Sequence, residues 1–433
     1  MPFNIASAIF TGIFILLLGG LAYLHRQGKS FSLRVGVALI SGVALGFAVQ
    51  RFGNEDNQQL LTQLFNLVGL GYLKLLQMIV IPIVLTAIIN SIINLRQGNT
   101  DSLRQLTVRS VGLLLGLTGL SAAIGLLVGA WLNVGAGMQL PAEGMQPEHM
   151  SQGIVATLLA FIPANPIATM VNNNTIGLAI LAILIGVAAF QLHHKDSNAA
   201  ESFIHFIKSS FEVIKQLTRM IIALTPYGVL ALIANLCATQ GGAALSAMLH
   251  FIFAMYLAMA IVWILHATLL VLSGYNLGQY YKNAYRPLLL AFTTRSSLGT
   301  LPVTIETLIE NFKIRPGIAS FVPSLGATIG MNACAGVYPA MLVAMTMHIQ
   351  GQSIGIGLVL LIMLVNAIAS LGVSGIPGTA FVAAGVSLMT LGLPYAIVGL
   401  VQGVDPIIDM GRTATNVNGV LTTALVVDKT IHD

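Results

Sequence analysis

Uninterrupted apolar runs recur along the chain, from Ile5 to Leu24, Val35 to Val49, Val111 to Val134, Ile176 to Phe190, Ala247 to Leu272 and Ile354 to Val373. Most approach the roughly 20 residues that a helix needs to cross about 30 Å of hydrocarbon. Strands of a transmembrane barrel would alternate polar and apolar positions over about ten residues. These runs do not alternate, so the pattern predicts several spanning helices. The first run has no basic leader and no small-residue cleavage site before His25 and Arg26, and it is expected to stay as a helix rather than be removed as a signal.

Composition agrees with the pattern. Of 433 residues 56% are hydrophobic and only 8% charged, far below the roughly 25% of a soluble domain. The net charge of +5 is spread over the connections between apolar runs, so it reports topology rather than an affinity for nucleic acid. Cys237 and Cys334 lie far apart within apolar stretches, which suggests neither a disulfide framework nor a metal cluster. Basic residues gather at Arg26, Lys29 and Arg34, at Arg96, Arg104 and Arg109, at His193, His194, Lys195 and Lys208, at Lys282 with Arg286, and at Lys313 with Arg315. The segments Gly135 to Gly153, Thr239 to Ala244 and Gln350 to Ser353 carry no Lys or Arg. By the positive-inside rule the basic connections are cytoplasmic, the N-terminus is outside and the C-terminus is inside.

One apolar stretch cannot obey that alternation by crossing. From Pro287 to Ile305 it lies between two cytoplasmic basic pairs, with Arg295, Ser296, Ser297 and Gly299 at its middle, so it must enter the membrane and return. A second interruption, Val373 to Ala380, breaks an apolar region whose flanks both belong outside. Each hairpin is followed by a helix of unusual polarity, Gly317 to Met347 and Pro394 to Val427. Paired interruptions of this kind point to a transporter binding site, because non-helical backbone at membrane depth survives only against protein or a water-filled cavity.

The last of these helices carries the candidate chemistry. Asp409, Arg412, Thr413 and Asn416 follow the 3.6-residue period and share one face. Asp or Arg at the bilayer centre costs about 2.5–3.5 kcal/mol, so such residues face a partner or a cavity. Asp409 and Arg412 can simply pair with each other. They also form a cradle for a zwitterion, with Asp409 taking an ammonium and Arg412 gripping a carboxylate through its planar fork. Backbone N–H groups near Ser296 and Ser297, and near Gly375 and Gly378, are placed to receive an α-carboxylate. The two serine hydroxyls either assist or cap helices. The nine histidines form no metalloprotease-like cluster, and a selectivity filter would repeat rings of like groups, so an intramembrane enzyme and an ion channel fit less well.

These residues resemble the dicarboxylate/amino acid:cation symporters, the family that includes glutamate transporters, nearly end to end. T-R-S-S at Thr294 to Ser297 with G-T-L-P-V at Gly299 to Val303 is similar to the family's first hairpin tip, G-I-P-G at Gly375 to Gly378 to the second, and D-M-G-R-T at Asp409 to Thr413 with Asn416 to its substrate helix. Met78 to Val84, Phe161 to Pro166, Thr225 to Ile233 and Leu325 to Ile329 add to the likeness. Gly330 to Leu342 and the extra first helix are most similar to the bacterial L-cystine symporters within it.

The resemblance implies an all-α elevator fold of the inner membrane, with about nine transmembrane helices and two re-entrant hairpins in inverted repeat. It divides the chain into an extra helix (1–31), a mostly scaffold region that trimerises (32–274, with some helices in the moving part) and a transport core (275–433). Within the core it places hairpin 1 at about 283–311, helix 7 at 315–347, hairpin 2 at 353–391 and helix 8 at 393–428. It implies substrate contacts from Ser296, Ser297, Cys334, Gly375, Ile376, Pro377, Gly378, Thr379, Asp409, Arg412, Thr413 and Asn416, with hairpin 2 as the outer gate. No organic cofactor is implied, and the coupling cation is Na+ or H+. Where glutamate transporters carry N-M-D-G-T this chain has Gly330, Met331, Asn332, Ala333 and Cys334, and Val420 stands where they have a further Asp. Losing both carboxylates argues for fewer sodium ions. One Na+ site of carbonyl oxygens from Thr328, Met331, Ser370, Leu371 and Val373 stays open, as does proton coupling through Asp409 or Asp405. The implied substrate is L-cystine, with glutamate or aspartate as the alternative. Lys74 reads as a snorkelling lysine outside the site.

Overall fold

The computed structural model describes residues 5–53, 55–95, 101–136, 162–172, 174–373 and 378–430. The described residues form helices and no strand. They are α1 (Ile5–Arg26), α2 (Phe31–Phe52), α3 (Glu55–Leu95), α4 (Asp101–Trp131), the short α5 (Pro166–Val171), α6 (Thr175–Lys195), α7 (Ser197–Ile222), α8 (Thr225–Gln240) and α9 (Gly242–Leu272). Five of them, α1 to α4 and α9, are long and apolar enough to span a membrane, and α7 with α8 adds a sixth span bent by 46°.

The C-terminal third contains both hairpins. The first has arms α10 (Leu277–Thr294) and α11 (Ser297–Glu310), so its first arm begins earlier than position 283. The second has arms α14 (Ile356–Ala369), ending in a 3-10 turn at Ser370–Gly372, and α15 (Ala380–Thr390). Gly375, Ile376 and Pro377 at its tip lie outside the described residues.

Three sequence expectations are corrected. The stretch Gly317 to Met347 is not one helix. It is α12 (Pro316–Gly326), a non-helical step, a π-helical turn at Asn332–Val337 and α13 (Tyr338–Ile349). Gly330 turns that step at φ +74°, and a Cβ there would collide with Leu114 of α4, which presses against the unwound backbone. The stretch Pro394 to Val427 is likewise broken, into α16 (Ala396–Val401) and α17 (Asp405–Thr430). Lys208, read as part of a connection, lies inside α7, a helix whose exposed charges ride on one face and whose opposite face packs on α3 and α6.

Packing sorts the helices into two groups. In one, α2 lies along α8, and α3 packs on α6, α7 and α8. In the other, α4 and α9 pack around α17 and the π turn, with α4 also against α13 and α14. Of the second group, α4 and α9 come from the part of the chain before position 274. The joint from α8 to α9 is a single residue, Gly241, at φ +61°, where an added Cβ would collide with the Gln50 side chain. Across the groups α15 and the 3-10 turn lie on α3, and α14 and α15 touch α6, whereas hairpin 1 packs on α12 and α17. Its tip reaches across, where the Arg295 guanidinium lies 5.5 Å from the Phe31 ring centroid.

The arms of hairpin 2 are pinned to the π turn by side chains. Asn366 donates from Nδ2 to Gly336 O (3.1 Å), and its Oδ1 accepts from the Ser387 hydroxyl on the other arm. Asn366→Leu removes both bonds; the Ser387 hydroxyl keeps Ala383 O (3.0 Å), and losing the donor to the buried Gly336 O costs about 1–3 kcal/mol. A clear fall in thermal unfolding temperature in detergent is expected.

Candidate substrate and cation site

Helix α17 starts at Asp405, and its polar face turns wholly inward: Asp405, Asp409, Arg412, Thr413 and Asn416 are all buried. Arg412 Nη2 donates to Asp405 Oδ1 at 2.6 Å and to Asp409 Oδ1 at 3.0 Å. The Arg412 guanidinium also lies 4.3 Å from the centroid of the Tyr338 ring, a cation–π contact from α13. The Asp409–Arg412 pair is thus present in this state, and it is part of a larger cluster. Tyr338 is the member that sequence reasoning missed, and Asp405 was weighed there only as an alternative proton carrier, not as a substrate contact. Asp405 was legible, since it stands one turn before Asp409 on the same stripe. Tyr338 arrives from another helix and left no local signal.

The cluster is not satisfied by its own members. Asp409 Oδ2, Arg412 Nε and Arg412 Nη1 are buried and have no hydrogen-bond partner among the described residues. An acceptor and two donors thus remain unspent in one place, the complement of an ammonium and a carboxylate.

Asn416, one turn beyond, holds the π turn. Its Oδ1 accepts from Ala333 N (2.8 Å) and more weakly from Cys334 N (3.4 Å), and its Nδ2 donates to Cys334 Sγ (3.0 Å). The wound-out backbone after Gly330 is therefore stitched to α17, and the Cys334 thiol is carried to the Arg412 cluster. At hairpin 1 the chain reverses through Arg295, at φ +55°. Ser296 caps α11 by accepting from Gly299 N at 3.0 Å, and Ser297 is buried as the first residue of that helix. The Ser296 hydroxyl thus caps a helix here. Gly378, at φ +78°, and the buried Thr379 lead into α15, and Gly375, Ile376 and Pro377 fall outside the described residues.

The carbonyl set lies beside a cavity of about 290 Å³ between α3, α7, α12 and hairpin 2, lined in part by Thr328, Leu371 and Val373. Gly330 N donates to Ser370 Oγ (3.3 Å), which brings the 3-10 turn of hairpin 2 against the backbone next to Met331. Ser91 of α3 donates to Leu371 O (3.4 Å), leaving that oxygen a second lone pair. Neutral carbonyl oxygens suit a hard monovalent cation such as Na+, and Thr328, Leu371 and Val373 of the expected set meet at this cavity.

A second buried polar chain runs beside the first. Tyr280 donates to Asn418 Oδ1 (2.7 Å), and the Asn418 amide nitrogen lies 3.0 Å from His266 Nδ1. Trp263 Nε1 donates to Thr415 Oγ1 (2.8 Å). These bonds lock α9 and α10 onto α17. Their apolar sequence surroundings hid them, since single polar residues in long runs look alike. Lys74 is exposed on α3.

Comparison with known proteins fits this geometry. The L-cystine uptake protein TcyP of Bacillus cereus (strain ATCC 14579) is 37% identical over 441 residues, covering 97% of this chain and 94% of that protein. The L-cystine uptake protein TcyP of Bacillus licheniformis is 35% identical over 439 residues, with the same coverage. A symporter of Haemophilus influenzae is 36% identical over 434 residues, covering 97% of this chain and 98% of its own length. These relatives are transporters, not enzymes. The description of the sodium:dicarboxylate symporter family fits residues 31–430, so nearly the whole chain is accounted for, and it belongs to that family of multi-pass membrane transporters.

Proposed function

We propose that the chain imports L-cystine across the bacterial inner membrane by symport with Na+ or H+. The observation that carries this reading is the enclosed cluster of Asp409 and Arg412, whose unspent acceptor and donors complement a zwitterion with a second carboxylate. The relatives named for L-cystine uptake support the choice of substrate. Asp409 takes the α-ammonium and Arg412 the distal carboxylate, while the hairpin tips, from Ser296 and Ser297 to Gly375, Ile376, Pro377, Gly378 and Thr379, receive the α-carboxylate. Cys334, Thr413 and Asn416 line the same space.

The motion is elevator-like. A scaffold of α2, α3, α6, α7 and α8 stays in place and forms a homotrimer, while α4, α9 and everything from α10 onward moves as one body. Hairpin 2 lies on α3 and α6, and hairpin 1 is largely clear of that group, an arrangement that suits the inward-facing state when hairpin 1 is on the cytoplasmic side. The N-terminus is then outside and the C-terminus cytoplasmic. Any Na+ binds at the carbonyl set of Thr328, Met331, Ser370, Leu371 and Val373.

The test is uptake of labelled L-cystine into liposomes carrying the purified protein, with sodium and pH gradients imposed separately. Accumulation driven by either gradient, and weak competition by excess aspartate, is the expected result. Accumulation of aspartate without cystine would make the chain a dicarboxylate amino-acid carrier instead.

A further inference from the structure

A groove of about 740 Å³ runs between α4 and the last turns of α17. It lies roughly 15 Å along α17 from Asn416 and takes no part in the substrate cluster. Its lining holds two cations, Arg109 and Lys429, and no carboxylate. Both cations stand at the end of the groove nearer the helix termini. Gly112, Leu113 and Val426 line it about one turn further in, and the exposed Val108 forms its lip. Gly112 and Gly116 follow one another on the same row of α4, and a Cβ added at either would meet nothing within 4 Å. The groove therefore has a basic mouth and an open apolar floor that leads inward.

The two cations are held in place without being neutralised. Arg109 Nη1 donates to Thr430 O, and Lys429 Nζ rests 5.3 Å from the centroid of the Tyr275 ring. Neither has a carboxylate partner among the described residues. The neighbouring Asp428 is taken by Arg315, whose Nε donates to its Oδ1 (2.9 Å) and whose Nη2 donates to its backbone oxygen (2.7 Å). The mouth of the groove thus presents uncompensated positive charge.

A free anion would match the cations but leave the apolar floor uncovered, and an uncharged lipid would do the reverse. A glycerophospholipid with a net negative head matches both, because its phosphate sits at the membrane surface and its acyl chain points inward. The mouth also belongs to the basic connection of Arg96, Arg104 and Arg109, which loop charge puts on the cytoplasmic side, where basic pockets between helices hold anionic heads. We propose that this groove binds one anionic glycerophospholipid, its phosphodiester between Arg109 and Lys429 and one acyl chain along Gly112 and Gly116. Helices α4 and α17 pack on each other within one helix group, so both walls of the site come from that group. The inference needs only a membrane-embedded chain and stands whether or not L-cystine is the substrate.

The experiment is native mass spectrometry of the delipidated full-length protein in detergent, titrated with phosphatidylglycerol, with phosphatidylethanolamine, or with phosphatidylglycerol in the presence of inorganic phosphate. The wild type is expected to retain phosphatidylglycerol in preference to phosphatidylethanolamine, and phosphate should not displace it. Lys429→Gln removes one cation and should lower that retention about fivefold. Gly112→Leu keeps every charge and fills the floor, and it should lower retention by a similar factor. Lys208→Gln, which removes a cation from α7, should change nothing. Equal retention of the two lipids by the wild type overturns the proposal, as does wild-type retention in either groove variant. A loss in Lys208→Gln equal to that in Lys429→Gln also overturns it, since general charge would then suffice. Displacement of the lipid by phosphate would make the mouth a soluble-anion site and overturn it too.

Discussion

Arg412→Ala is expected to reduce cystine uptake about 10²–10³-fold. Truncating one partner of a buried, hydrogen-bonded charge pair costs about 2–5 kcal/mol, and each 1.4 kcal/mol is tenfold. The substitution removes the donors meant for the distal carboxylate. It also leaves Asp405 and Asp409 together with no cation between them, and withdraws the guanidinium from the Tyr338 ring. Binding and stability should therefore fall together. Arg412→Lys separates the two effects. A lysine keeps the charge and loses the planar fork, so thermal stability should recover more than uptake does. Uptake within threefold of wild type in Arg412→Ala would show that the substrate carboxylate is held elsewhere.

A disulfide between the two helix groups is expected to stop transport. An added Cβ at Gly403, in the link between α16 and α17, would lie 3.0 Å from Ile233 Cγ1 on α8. A cysteine at 233 places its sulfur near that γ position, which is close enough to bond to a sulfur at 403. Oxidation of the double variant Ile233→Cys/Gly403→Cys is expected to lower uptake at least tenfold, and reduction to restore it. The two single variants should respond to neither treatment. Full uptake by the cross-linked protein would mean that α8 and the α16–α17 link move together, and the division into scaffold and moving core would fail.

The apolar runs made α1, α2, α4 and α9 legible, because a spanning helix needs little more than length and apolar character, whereas α3 was not among them. Both hairpins were legible for the opposite reason: polar and glycine-rich breaks, combined with loop charge, left no other way to thread the chain. The Asp409 to Asn416 stripe followed from helical period alone. The break before Asn332 was not legible, because the backbone leaves the helix there to meet Leu114 and the Asn416 amide, both distant in sequence. Lys208 misled because charge was read as connection, whereas α7 carries its charges along one face of a continuous helix. The network of Tyr280, Asn418 and His266 joins three helices and has no one-dimensional signature.

The single-residue joint at Gly241 fixes more than the path of the chain. Tyr256, Trp263 and His266 of α9 all bond to α17, at Ile407 O, Thr415 and Asn418, so they share one face of α9. With no slack between α8 and α9, an inserted or deleted residue at this joint would turn α9 by about 100° about its axis and carry that face away from its partners. Length is therefore heritable as a constraint at this point of the chain.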